Sequence, residues 1–165
     1  MTINLESEAI LKKKILIVDD HHFIIEGYKN AIIRYNPTEF EFFITQAKNC
    51  ESAYKIITDP DTAAFDIVFL DISMPPYEKK NIFSGEDLAK LVQHYMPNSK
   101  IVILTMYLEL LMTESIIKTI NPNALIMKND LTFKELLFAL DKVIKNETYY
   151  SESVRTKLKL LKNDN

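Results

Sequence analysis

The stretch Ile67-Val68-Phe69-Leu70-Asp71-Ile72-Ser73-Met74-Pro75 decides the fold: four apolar residues in a row, an acid at their end, and a proline-bearing exit. An unbroken apolar run of this length, rather than an alternating one, is the pattern of a strand covered on both faces, as in a parallel sheet sandwiched by helices. Pro75 biases the residue before it toward extended backbone. Asp71 is therefore carried at a free strand end, which is what an exposed nucleophile needs. Three further runs have the same character, Ile15–Val18, Ile101–Leu104 and Ala124–Met127. A more mixed fifth run, Phe40–Ala47, reads as an edge strand.

Between these runs lie segments with helical spacing. Phe23–Tyr35 sets Ile24, Tyr28, Ile32 and Tyr35 on one side, and Glu51–Ile57 follows the edge strand. Ser84-Gly85-Glu86-Asp87 opens a third helix toward His94. A fourth is predicted over Leu108–Ile120, closed by Asn121-Pro122-Asn123, with Ile116, Ile117 and Ile120 as a core stripe. Thr132-Phe133-Lys134-Glu135 has capping-box spacing before the apolar face of Leu136, Leu137, Leu140, Val143 and Ile144. Five strands alternating with five helices predict an α/β doubly wound parallel sheet.

Composition narrows the function. With 165 residues the chain fits one domain, and 47% apolar with 26% charged residues is ordinary globular usage. A net charge of −3 provides no basic footprint for nucleic acid, so DNA binding by this segment itself is not expected. Cys50 stands alone, which excludes an internal disulfide and a cysteine metal cluster and fits the cytoplasm. No signal peptide or membrane anchor is found. Gly27 and Gly85 are the only glycines, too few for a glycine-rich phosphate loop. The longest irregular stretch, Pro75–Phe83, directly follows the third strand, and long loops in small domains are often functional.

In an open parallel sheet, ligands bind beyond the carboxyl ends of the strands where strand order reverses. The first strand ends in Asp19-Asp20, the third in Asp71, the fourth in Thr105 and the last in Lys128. Three acids, a hydroxyl and an ammonium thus meet on one rim. Crowded carboxylates repel unless a cation sits among them. Mg²⁺ suits such a site, because it prefers oxygen ligands and shares them between carboxylates, water and phosphate. A phosphoryl group on one carboxylate would find charge neutralisation from the metal, Lys128 and Thr105.

Four motifs at these positions resemble those of response regulator receiver domains: Ile17-Val18-Asp19-Asp20, Leu70-Asp71-Ile72-Ser73-Met74-Pro75, Leu104-Thr105 and Met127-Lys128. The resemblance spans about Lys14 to Ile144, and the motifs fall in order at family-like spacing. It implies a flavodoxin-like fold with strand order 2-1-3-4-5. It also implies roles: Asp71 as acceptor of a phosphoryl group from a sensor histidine kinase, and Asp19, Asp20, Asp71 and the Ser73 backbone carbonyl as Mg²⁺ ligands. Thr105 and Lys128 would bind the phosphoryl oxygens. The chain would then be a signalling phosphoacceptor rather than an enzyme, capable at most of self-phosphorylation and autodephosphorylation, with a possible homodimer among its assemblies.

Asp20-His21-His22-Phe23 with Glu26-Gly27, and Thr148-Tyr149-Tyr150-Ser151 with Val154, resemble the NarL/LuxR-type subfamily, whose receivers precede a helix-turn-helix output domain. On that resemblance residues 1–13 form an N-terminal extension, 14–147 the receiver, and 148–165 a linker or tail toward an output domain missing from this chain. DNA would be reached only through that domain.

Three departures from the family stand out. Where many relatives carry a switch aromatic three residues before the lysine, this chain has Leu125. Met106 and Tyr107 follow Thr105 where a small residue is common, so Met106 is expected to narrow access and to slow labelling by acetyl phosphate. The loop after Pro75 is several residues longer than usual, and it is expected to tune recognition of a kinase or phosphatase.

Blander interpretations compete. Asp19-Asp20 alone would be a solvated turn, Thr105 alone a strand former and Lys128 alone a surface ammonium; their common register is what reverses this. His21-His22 read as surface or capping residues at a helix start, and Leu158, Leu160 and Leu161 as packing of a last helix. A haloacid-dehalogenase-type hydrolase also uses an aspartate nucleophile, but its second acid two residues on is here Ser73. A pseudo-receiver, keeping the fold without the chemistry, is disfavoured by the intact acids.

Overall fold

Parallel strand pairing orders the whole molecule. In the computed structural model, which describes residues 9–107 and 109–163 (the backbone alone for Leu110 and Leu111), six strands form one sheet in the order β2-β1-β3-β4-β5-β6. The strands are β1 (Leu11–Val18), β2 (Phe40–Ala47), β3 (Ile67–Asp71), β4 (Lys100–Thr105), β5 (Ala124–Met127) and β6 (Tyr149–Tyr150). Helices α1 (His22–Ile33), α2 (Cys50–Thr58), α3 (Gly85–Tyr95), α4 (Leu110–Thr119), α5 (Phe133–Ile144) and α6 (Glu152–Asn163) connect or follow them. Residues 1–8 of the expected extension, Leu108 at the expected start of the fourth helix, and residues 164–165 lie outside the described residues.

The continuous apolar runs are explained by burial on both faces. Leu16, Val18, Val68, Leu70, Ile101, Ile103 and Leu125 point into one core with α2, α3, α4 and Val154 of α6. Their neighbours Ile15, Ile17, Ile67, Phe69, Val102, Leu104 and Ile126 point into a second core with α1 and α5. Alternate residues therefore serve opposite faces, and both faces are apolar. Phe40–Ala47 is an edge strand, as its mixed composition suggested.

Local signals place the helix starts. Ser84 caps α3 by accepting from the Glu86 amide at 3.2 Å, and Thr132 caps α5 by accepting from the Glu135 amide at 3.1 Å. The Glu135 carboxylate takes the Tyr149 hydroxyl at 2.5 Å and so ties α5 to the last strand. Positive φ falls on asparagine in this glycine-poor chain, at Asn36, Asn81, Asn121 and Asn146. Asn121 ends α4 where a stop was expected.

The C-terminal stretch differs from a free linker. Tyr149 and Tyr150 pair with Ala124 and Leu125 as a sixth strand, and α6 packs back on α4 and β5. A two-residue strand is too short to show periodicity. At the other end β1 begins at Leu11, paired with Phe40, so part of the expected extension belongs to the sheet. The long loop is a small hairpin with an antiparallel bridge between Tyr77 and Ile82 around a 3-10 turn at Glu78–Lys80. Tyr77 meets the Tyr54 ring of α2 edge-on at 5.6 Å, Lys80 lies 5.7 Å from the same ring, and Ile82 is buried in the first core.

Candidate functional site

The register brings the five expected side chains to one end of the sheet. Crossovers leave β1 and β3 adjacent at the centre, so Asp19, just past β1, and Asp71, the last residue of β3, come from neighbouring strands. Thr105 ends β4, and Lys128 follows β5 in a second 3-10 turn, Lys128–Asp130. β5 lies two strands from β3, roughly 10 Å by ordinary strand spacing. A lysine stem is long enough to cross that gap over the end of β4.

Lys128 makes the crossing. Its Nζ donates to Asp19 Oδ2 at 2.6 Å and to Asp71 Oδ2 at 2.9 Å. All three groups are buried, with 1% of Asp19, 2% of Asp71 and 8% of Lys128 exposed. Asp71 Oδ1 accepts from the Ser73 amide at 3.2 Å, so the residue after the strand folds around the same acid. Burial raises the Asp71 carboxyl above its ordinary value; Lys128 offsets this only in part, and the charge of Asp19 reinforces it. The neighbouring Tyr28 phenol is also pushed up, by burial first and then by Asp19 and Asp71.

Thr105 is fully buried. Its hydroxyl donates to the Tyr107 carbonyl at 2.9 Å and stays with its own loop. Met106 and Tyr107 are half and two-thirds exposed, and Met106 lines a groove of about 460 Å³ together with Lys128, Tyr28 and Phe133. Leu125 is fully buried between Ile103 and the sixth strand, in the interior of the sheet rather than on a movable rim.

His21, expected as a surface or capping residue, is half exposed at the start of α1 and stands beside the acid pair. It occupies the N-cap position of α1 without capping it. Its Nδ1 lies 2.9 Å from Asp19 Oδ1 and 3.0 Å from Asp20 Oδ1. Only its place next to the acid pair could have signalled this. Donor atoms of Asp19, Asp20, His21 and Asp71 all lie within 4.8 Å of one another. Two buried carboxylates share one ammonium and a third stands at the rim, so the cluster is short of positive charge. Oxygen donors with a negative excess suit a hard divalent cation, and the acidic group could hold a metal ion.

A parallel sheet with an acid cluster and a lysine at its switch point defines a receiver-type phosphorylation domain. The family comparison agrees: residues 15–140 match the response regulator receiver domain, and the chain belongs to that family of signalling proteins. Among curated proteins it is similar to the oxygen regulatory protein NreC. It is 30% identical to the Staphylococcus epidermidis protein over 145 residues, covering 88% of this chain and 61% of that one. The Staphylococcus aureus protein is 31% identical over 147 residues. This chain therefore spans about three fifths of the length of these relatives.

Solved structures share the fold at 18% identity. A LuxR-family two-component response regulator from Aurantimonas has a TM-score of 0.73, covering 92% of this chain and 99% of the other. The isolated receiver domain of RcsB from Salmonella enterica, solved with phosphomimetic BeF3−, also has a TM-score of 0.73, covering 89% and 99%. No helix among the described residues is long and apolar enough to cross a membrane.

Proposed function

We propose that Asp71 accepts a phosphoryl group from the phosphohistidine of a sensor histidine kinase and that the resulting state switches an output carried by a larger protein. The observation that carries this is the buried bridge from Lys128 to both Asp19 and Asp71. A structural ion pair needs one carboxylate; a second, desolvated beside the first, is costly unless it has chemistry to perform.

Asp19, Asp20, Asp71 and the Ser73 carbonyl would hold Mg²⁺, which when bound would neutralise charge on the transferring group. An Asp71 carboxylate oxygen bonds to phosphorus as the phosphorus–nitrogen bond of the donor imidazole breaks. The imidazole leaves with the bonding pair and is protonated from solvent. Lys128 pairs with a phosphoryl oxygen, and Thr105 turns from the Tyr107 carbonyl to donate to another. That rotation frees the loop leading into α4.

The added charge of about −1.5 to −2 drives the change. In this proposal the protein works in the cytoplasm, the receiver forms homodimers, and DNA is bound by an output domain such as its relatives' LuxR class implies. Met106, beside Lys128, restricts entry of small phosphodonors. Phos-tag mobility and beryllofluoride binding on wild type and Asp71→Asn test the assignment. Modification that is lost in the variant is expected, and modification that survives it would overturn the assignment.

A further inference from the structure

The turn that carries Lys128 also holds the start of α6. Met127, on its upstream side, donates its amide to Ser151 Oγ at 3.0 Å. Asp130, at its downstream end, accepts from the Ser153 amide at 2.9 Å and from the Ser153 hydroxyl at 2.6 Å. The Ser151 amide donates to the Leu125 carbonyl at 3.1 Å, and Ser151 is fully buried. Met127 and Asp130, on either side of the lysine, are therefore clasped to Ser151 and Ser153 at the start of the last helix.

Beyond the clasp, α6 is held by packing on α4 and β5. Val154 is its one fully buried apolar residue, with Leu158 packed partly beneath it, while Leu160 is exposed. The helix rests on α4, the element that follows Thr105. It is thus held at one end by the Lys128 turn and along its length by α4.

We propose that this clasp is a release catch: phosphorylation at Asp71 draws Lys128 toward the phosphoryl oxygens, the three-residue turn moves with it, and α6 loosens from α4. The inference rests on the phosphoacceptor role proposed for Asp71. Hydrogen bonds of 2.6–3.0 Å are lost once donor and acceptor part to roughly 3.6 Å, so a shift of this short turn by about 1 Å suffices. A loosened α6 changes both the exposed face of α4 and the direction in which the chain leaves the domain.

Hydrogen exchange measured by mass spectrometry on the full chain tests this, with Mg²⁺ and beryllofluoride as the phosphoryl mimic and ¹⁹F resonances reporting occupancy. Amides of α6 are expected to exchange about tenfold faster when the mimic is bound, the effect of losing the Asp130 hydrogen bonds. Asp130→Ala, which removes the acceptor of both Ser153 hydrogen bonds, is expected to exchange fast without the mimic and to respond little further, while still binding it; Asp130→Asn, which keeps an acceptor oxygen, is expected to restore the response. Unchanged α6 exchange in wild type with a bound ¹⁹F signal overturns the catch and leaves the phosphoacceptor role standing. Absence of any bound ¹⁹F signal overturns both.

Discussion

Gly85 opens α3 against the backbone of the proposed acceptor. A Cβ added there would lie 2.0 Å from the Asp71 carbonyl oxygen, 2.8 Å from its carbon and 3.0 Å from Ile72 Cα. The backbone angle of Gly85 is one that any residue adopts, so conformation alone favours alanine over glycine by about 1 kcal/mol. Sterics predict the opposite. The obstacle is main chain on both sides, and the two segments must part by about 1 Å before the contact becomes tolerable. That motion also stretches the 3.0 Å hydrogen bond from the Gly85 amide to the Ile72 carbonyl. Overpacking costs about 1–3 kcal/mol and a lost hydrogen bond about 1 kcal/mol, so after the gain of about 1 kcal/mol from alanine Gly85→Ala is expected to be destabilised by about 1–3 kcal/mol net. For a domain of this size that lowers Tm by roughly 3–10 °C. The chemistry is expected to suffer more, because displacing a reacting carboxylate by about 1 Å can cost on the order of 100-fold in rate. Thermal unfolding and transfer from a phosphorylated kinase measure the two effects. A variant that melts at or above wild type and is phosphorylated at the same rate would refute the steric account.

Other consequences follow from the charges and the groove. Lys128→Met strands two buried carboxylates and is expected to cost about 3–5 kcal/mol in urea unfolding, part of it recovered by adding Asp71→Asn; a loss under about 1 kcal/mol would count against the buried bridge. Because the folded state raises the Asp71 carboxyl, its protonated form favours the fold; that contribution is present below the ordinary carboxylate value and is lost as pH rises through the folded one. Asp71→Asn is therefore expected to stabilise the protein at pH 7, with the difference shrinking as pH falls into the ordinary carboxylate range; a variant less stable than wild type at pH 7 contradicts this. Met106→Ala is expected to quicken labelling by acetyl phosphate severalfold while transfer from a kinase changes little, and equal labelling of both proteins would remove Met106 from the entry path.

What the sequence could reveal followed from how many residues share a signal. β3 was visible because four residues in a row must be apolar when both faces are covered, and Asp71 was visible because it breaks that run. Asp19, Thr105 and Lys128 were reached through their common position at strand ends. The sixth strand was not, since Tyr149-Tyr150 is shorter than any period and owes its place to Glu135, Asn123 and Leu125. The hairpin within Pro75–Phe83 depends on a single bridge and on Tyr54 from another helix. Deleting Tyr77–Ile82 would take the buried Ile82 out of the core. Substituting the exposed Lys79 and Lys80 probes recognition without that loss.

Leu125 takes on a different meaning once the sixth strand is in place. β5 is here flanked on both sides, by β4 and β6. Leu125 is locked between Ile103 and Tyr150 and roofed by the helix that Val154 anchors. The same pairing that removes a rotating side chain adds backbone and serine hydrogen bonds on both sides of Lys128. A signal at Asp71 then has two mechanical exits, through Thr105 into α4 and through Lys128 into α6, and they converge because α6 rests on α4.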